Sequence, residues 1–459
     1  MTSMDDIVSL AKRRGFVYPS SEIYGGLGNV YDYGPLGVEL IRNIRNLWWR
    51  EFVQCRPEIV GMESAIFMHP KVWIASGHAS GFSDLMVEDK KTHKRYRADH
   101  IVEDWTKDNN AEEIDTDSMS EEQLNDYIEK NKIKSPDGND LTLAKQFNLM
   151  FETGIGSTKE AESKLYLRAE TAQGMYVDFK NILDSTRMKI PFGVAQQGRV
   201  FRNEITTGKF IFRMLEFQQM EIQYFFDGKE WNELFEEWRV SIEKWYHKTL
   251  GINPKKFRWK PHSKLIFYAK AAEDIQYNFP WGYDEVSGLH YRTDYDLDTH
   301  EKHSGASLEY TDPKTGEKYL PHVMETTWGL DRNFFMILLD AYTVDKKSSR
   351  TILKLKPSLA PYKVAVFPLL ANKQELVKHA RRLFDELSIH FSTSWDDRGN
   401  IGKRYAAQDE VGTPWCVTVD FDSLKDDKAT VRDRDTGKQE RIAVDNLVSY
   451  IQNKIDEDK

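Results

Sequence analysis

Two strand-like stretches separated by a few polar residues constrain this chain more than anything else in it. Pro191–Phe201 reads as one strand, with Arg202-Asn203-Glu204 at its end. Ile205–Lys209 is a short loop carrying Gly208, and Phe210–Phe226 returns as a long strand. Neighbours joined so closely pair antiparallel. A further strand is expected over Tyr319–Glu325. Around these lie helical stripes: Val38, Ile41, Ile44, Trp48 and Phe52, with Leu40 and Leu47, in a helix ending near Pro57; and Trp231, Leu234, Trp238, Ile242 and Trp245 in another. Strand following strand, with helices to the side, predicts an α+β domain: a mainly antiparallel sheet flanked by helices.

The pattern changes after Lys354–Tyr362, a basic stretch with two prolines that reads as a linker. Strands are expected at Lys363–Leu370, Ile389–Thr393 and Pro414–Phe421, helices over Asn372–Leu387 and Leu447–Ile455, and loop plus helix over Gly399–Gly412. Ala429–Val444 reads as a hairpin around Asp435-Thr436-Gly437. Such alternation predicts a small α/β unit with a mostly parallel sheet. The expected division is therefore 1–355 and 360–459. Within the first part, Ile101–Asp140 holds 13 acidic and 4 basic residues, which accounts for the whole net charge of −9. It is expected to be a solvated acidic insertion, about 101–146, with a short helix at Ser120–Asn131. The rest is near neutral, so the acidic average leaves a nucleic-acid partner open.

Several classes of function drop out. No apolar run approaches membrane-spanning length, and Met1–Gly15 has no apolar core of a secretion signal, so a cytoplasmic location is expected. Cys55 and Cys416 are the only cysteines, too few for a disulfide scaffold or a cysteine-rich metal centre. There is no phosphate-binding P-loop, and Gly25–Gly28 lacks the third glycine of a dinucleotide fingerprint. His300 and His303 stand three apart rather than the four a metalloprotease helix needs, and Lys90–His93 with His100 has no second ligand pair.

The chemistry-bearing residues fall in four segments: Leu167–Gly174, Gln197–Phe226, Trp281–Leu297 and Pro321–Phe335. On the returning strand Arg213, Phe217 and Glu221 are spaced by four, so they share a face. With Arg202 and Glu204 they form either a bed for a nucleotide or a salt-bridged sheet face; guanidinium groups hold phosphates and an aromatic ring stacks on a base. In Gly329-Leu330-Asp331-Arg332 a strand turns into a helix, with Arg332 in the first turn where anions are favoured.

The order Arg-x-Glu, loop, Arg-x-x-x-Phe, then a distant Gly-x-x-Arg resembles the class II aminoacyl-tRNA synthetases, with Val38–Val53 where their dimer helix belongs. Phe147–Phe151, Arg168–Gly174, Arg95–His100, Glu216–Phe225, Arg292–Leu297 and Arg14–Gly37 are similar to the glycyl-tRNA synthetase family of homodimers. The C-terminal part resembles an anticodon-binding domain. The sequence departs from that pattern at Ala169 (usually Pro), Leu215 (Arg), Thr326 (Pro) and Thr327 (Ser), and lacks a cysteine pair near Asp89–Thr92. The resemblance implies ATP with Mg2+, glycine and tRNA(Gly) as reactants, a homodimer, and no zinc. It implies that Arg202, Glu204 and Arg332 are catalytic. ATP would meet Arg202, Asn203, Glu204, Phe212, Arg213 and Met214, together with Phe217, Glu285, Val286, Gly329 and Arg332. Glycine would meet Arg97, Glu170, Glu221, Arg292, Glu325 and Thr327. Glu285 would stand near the magnesium, Ile205–Lys209 near the tRNA acceptor end, and Lys403 and Arg404 near the anticodon. Another class IIa specificity (proline, threonine, histidine) and a non-catalytic accessory subunit are the competing readings; the glutamate-rich set argues against the first and the retained arginines against the second.

Overall fold

Seven strands gathered from a 271-residue span, Ile59–Gly329, build the sheet that carries the site. The computed structural model describes all residues except 1–2, 112–113, 117–118, 157–163, 205–208, 264, 266–268, 346–349 and 458–459. The strands are β1 (Ile59–Gly61), β2 (Phe192–Phe201), β3 (Glu216–Phe226), β4 (Phe257–Pro261), β5 (Ala271–Phe279), β6 (Gly282–Thr293) and β7 (His322–Gly329). Their order is β4-β5-β6-β7-β3-β2-β1, antiparallel throughout except for β1 beside β2.

The expected hairpin is β2 and β3, paired from Phe201 opposite Glu216 to Phe192 opposite Phe225. Strand β3 starts later than the pattern predicts. Phe210–Phe212 is a 3-10 turn entered through Lys209 and Phe210 at φ 62° and 55°. Its alternating apolar residues imitate a strand, yet Phe212 plugs a corner against Phe279 and Trp281. Strand β7 likewise begins at His322; Lys318–Tyr319 pairs instead with Tyr310–Thr311.

Helices cover one face. α1 (Pro35–Trp49), prolonged by a π turn over Arg50–Gln54, buries Leu40, Ile41, Ile44, Trp48 and Phe52, while Val38 lies at the exposed margin of its stripe. α2 (Trp231–Lys244) brings Trp238, and α3 (Leu330–Ala341) follows β7 directly. Trp328 of β7 meets Trp48 and Phe52 with ring centroids 5.4 and 4.8 Å apart, so this face is the aromatic core.

Side chains alternate along a strand, so the residues next to Trp328 point the other way. That face is polar. One cross-strand row runs Gln196, Glu221, Thr327, Gly288, Asp274; the next runs Gln223, Glu325, His290, Ala272. Pairing passes from Ile275–Ser287 to Gln276–Glu285, which leaves Val286 as a bulge. The extra residue turns Glu285 onto the polar face, where a regular strand would have pointed it away.

The acidic segment is more than a solvated excursion. Strands Ser83–Glu88, Arg95–Arg97 and Lys145–Asn148 and helices Ala98–Asp108 and Glu121–Lys130 enclose Val87, Ala98, Val102, Leu124 and Ile128. Ser120 caps the second helix in a reciprocal box with Gln123.

Beyond Tyr362 a second core forms on β8 (Val364–Pro368), β9 (Thr393–Trp395), β10 (Trp415–Val419), β11 (Lys428–Asp433) and β12 (Gln439–Ala443). The order is β9-β8-β10-β11-β12. Only β9-β8-β10 is parallel, so the sheet is mixed rather than mostly parallel. Around it pack α4 (Gln374–His390), α5 (Ile401–Val411) and α6 (Leu447–Asp456). Ile389, expected in a strand, continues α4.

Candidate active site

A cavity of about 400 Å³ opens on the polar face of the central sheet. Four arginines line it: Arg202 and Arg213 from the β2–β3 hairpin, Arg292 of β6 and Arg332 of α3. Arg202, just past β2, donates from Nε to the Ala169 carbonyl at 3.0 Å. Its guanidinium carbon lies 5.2 and 5.3 Å from the ring centres of Phe82 and Phe217. Arg213, after the 3-10 turn, faces Glu204 at 3.6 Å. Arg332, in the first turn of α3, pairs with Glu285 at 2.9 Å and lies over the Phe212 ring at 4.5 Å.

Besides Glu204 and Glu285, three more glutamates belong to the lining. Glu221 accepts hydrogen bonds from the hydroxyls of Thr171 and Thr327, the latter at 3.0 Å. Glu325 is held by Arg292 at 3.1 Å, His290 at 2.8 Å and Gln223 at 3.0 Å. Arg292 also forks onto Asp296 at 2.8 and 2.9 Å. Glu170 meets His78 at 3.3 Å and accepts from Gln173 at 2.8 Å.

These surroundings separate the three acids. Burial opposes ionisation of Glu170, but His78 beside it and Arg292 hold it well below the usual carboxylate range. Glu325 is likewise held low against its burial by Arg292 and His290. Among the described residues, no cation is within contact of Glu221. Burial, then the nearby Glu325 and Glu170, push it up to about 8, and the two hydroxyls only partly offset that. In the absence of a ligand this acid is protonated at neutral pH.

Of the residues predicted from sequence, Arg202, Glu204, Phe212, Arg213, Met214, Phe217, Glu285, Gly329 and Arg332 converge on the cavity, as do Glu170, Glu221, Arg292, Glu325 and Thr327. Three are not among its lining. Asn203 is tied through its backbone to Leu149. Val286 is fully buried, with its carbonyl bonded to Asn333. Arg97 is taken up by Asp84 and Asp99. Residues 205–208 of the loop expected near the tRNA acceptor end lie outside the described residues. Arg404 is no surface contact: it is 1% exposed and donates to the carbonyls of Pro368, Asp397, Arg398 and Gly399. Lys403 is exposed.

Sequence reasoning missed His78, Phe82, Gln219 and His290, which also line the cavity. Gln219 and His290 could have been found by counting in twos from Glu221 and Arg292. His78 and Phe82 sit on a short turn far from the motifs, and no periodicity marks them.

Both parts of the chain are similar to known proteins. Residues 151–397 match the tRNA synthetase class II core domain (G, H, P, S and T), and 363–454 match an anticodon binding domain. The glycine–tRNA ligase of Chlorobaculum tepidum is 46% identical, over 98% of this chain and all of that protein. Those of Borrelia garinii subsp. bavariensis and Clostridium tetani are 48% and 47% identical, each over 99% of this chain and 98% and 99% of their own.

Proposed function

Because the chain belongs to the glycine–tRNA ligases, within the class II aminoacyl-tRNA synthetases, we propose that its cavity joins glycine to ATP and passes the glycyl group to tRNA(Gly). In the first step a glycine carboxylate oxygen attacks the α-phosphorus in line, forming glycyl-adenylate as pyrophosphate leaves. In the second, the 3′-hydroxyl of the terminal adenosine attacks the glycyl carbonyl and AMP leaves. The observation that carries this reading is the convergence of Arg202, Arg213 and Arg332 with Glu170, Glu221 and Glu325 on one cavity. A polyanion and a zwitterion need both kinds of group.

Two anions must meet in the first step, so positive charge and positioning supply most of the catalysis. Arg202 bridges the α-phosphate and the glycine carboxylate. Glu204 and Arg213 orient the adenine and outer phosphates, Phe217 stacks on the base, and Arg332 takes the γ-phosphate. Magnesium neutralises phosphate charge when bound, and Glu285, a partly exposed carboxylate beside Arg332, is the residue that would hold it, a donor suited to that ion. The glycine ammonium lies among Glu170, Glu221 and Glu325. A larger amino acid would crowd Glu221 and Thr327, which the Thr327–Glu221 hydrogen bond fixes in place.

For tRNA, one face of α4 presents Lys378, Arg381 and Arg382 beside Glu375 and Asp385, with Arg381 stacked 3.9 Å over Trp395. This basic and aromatic surface, with Lys403, suits anticodon nucleotides. A homodimer is supported by Ile23, Tyr24 and Leu27, which are 89%, 88% and 62% exposed close to the start of α1. A cytoplasmic location belongs to the same reading.

ATP–pyrophosphate exchange with each of the twenty amino acids tests the reading. Only glycine should support it, and Arg332→Ala should raise the KM for ATP by about tenfold or more, as expected for a lost charged hydrogen bond. Exchange driven equally by alanine, or unaffected by Arg332→Ala, would contradict it.

A further inference from the structure

The polar face does not end at the cavity. His262 and Asp274, on the strands beyond it, and His290 of its lining each bring a ring nitrogen or carboxylate oxygen within 4.8 Å of the others. Nε2 of His262 is 3.0 Å from Asp274 Oδ2, and Nε2 of His290 is 4.0 Å from Asp274 Oδ1. The pairing of three neighbouring strands makes the meeting. The His262 amide donates to the Ala272 carbonyl at 3.0 Å, which carries the β4 ladder one residue past Pro261. Ala272 pairs with His290 and Asp274 with Gly288, so all three side chains emerge on one face.

Three details separate this cluster from an ordinary His–Asp ion pair. Both Nε2 atoms are buried and, among the described residues, make no well-aligned hydrogen bond, although Asp274 Oδ2 stands 3.0 Å from that of His262. The other nitrogen of His290, Nδ1, is 2.8 Å from Glu325 Oε1. A proton on Nδ1 satisfies that ionised carboxylate and leaves the Nε2 lone pair aimed at Asp274 and His262. This is the tautomer of a metal-bound histidine steadied by an outer carboxylate. Finally, a Cβ on Gly288 would stand 3.0 Å from His290 Cε1 and 3.6 Å from Asp274 Oδ1, so glycine leaves the space in which the two ligands turn toward a common centre.

We infer that His262, Asp274 and His290 bind one divalent transition-metal ion, zinc by the chemistry of the donors, with a fourth position open to water. Two imidazoles and one carboxylate are a zinc ligand set. Magnesium and calcium prefer oxygen donors throughout. The side chains are 29%, 17% and 24% exposed, so one flank stays accessible. Bound there, the ion fixes the His290 ring and through it Glu325, coupling the site to the cavity. The ion is distinct from the magnesium that accompanies ATP, and its binding does not depend on the synthetase reading.

The test uses the full chain, stripped with a chelator, dialysed, and titrated with Zn2+ and separately with Co2+ in the presence of millimolar Mg2+. One ion per chain should bind, Mg2+ should not displace it, and Co2+ should give the visible bands of a four-coordinate site. His262→Ala and Asp274→Asn should each weaken Zn2+ binding by more than about tenfold. Zn2+ should raise the melting temperature of the unaltered protein and not of these variants, and their metal-free melting curves show whether they remain folded. No Zn2+ bound below millimolar concentration, or stoichiometric binding that survives both substitutions, would overturn the assignment.

Discussion

Five glutamates line the cavity; Glu204, Glu285, Glu325 and Glu170 each have a cation beside them, and among the described residues Glu221 has none. Glu325 has Arg292 and Glu170 has His78, whereas Glu221 has two hydroxyls. Its folded pKa, near 8, stands above the ordinary 4.5. Between these values the folded, ligand-free protein holds a proton that the unfolded chain has released. The resulting increment of stability is complete below about pH 4.5 and lost as pH rises through about 8. An ammonium group arriving beside Glu221 reverses the balance and expels that proton. Glycine binding at pH 7 should therefore release roughly one proton per site and tighten as pH approaches 8. Calorimetric titration in buffers of different ionisation heat measures the release. Glu221→Gln should abolish it, and an unchanged proton count in that variant would show that another group titrates.

At the scale of elements, the junction from β7 into α3 sets Arg332, and Asp331 secures the junction. Its buried carboxylate accepts the Gln218 amide at 2.6 Å and the Tyr33 hydroxyl. Asp331→Ala leaves that amide without a partner and should cost about 3 kcal/mol in a denaturant titration. Asp331→Asn should cost less, and equal losses would mean that packing alone matters.

The same elements show what a sequence can disclose. Alternation placed Phe217 and Glu221 on one face, and the β2–β3 pairing keeps them there. Alternation could not reveal the bulge at Val286, because the extra residue is visible only against the partner strand. For the same reason Glu285 was named without a reason for its direction, and His290 was passed over although it stands two residues from Arg292. Phe210–Phe212 misled because an apolar corner and an apolar strand look alike until the positive φ at Lys209 and Phe210 is known. Arg404 misled because the carbonyls that bury it come from 368 and 397–399.

At the scale of the molecule, Asp409 on α5 joins the two large cores. It binds Arg432 of β11 at 2.8 and 3.2 Å and also Arg350 from the chain before β8. Removing it strands a buried guanidinium, at about 3–5 kcal/mol. Asp409→Ala should add a separate early transition in a calorimetric scan and reduce tRNA charging by about tenfold or more, while ATP–pyrophosphate exchange stays close to the original rate. Parallel loss of both activities would mean that the C-terminal part also supports the cavity.

The acidic segment has its own apolar filling, apart from the aromatic core under the catalytic sheet. All of the chain's surplus negative charge is carried there. The isoelectric point is thus set on a part that the central sheet does not need for its packing. Swapping acids for neutral residues on that outer surface would retune solubility and long-range repulsion of polyanions, and the machinery between the arginines and glutamates would keep its shape.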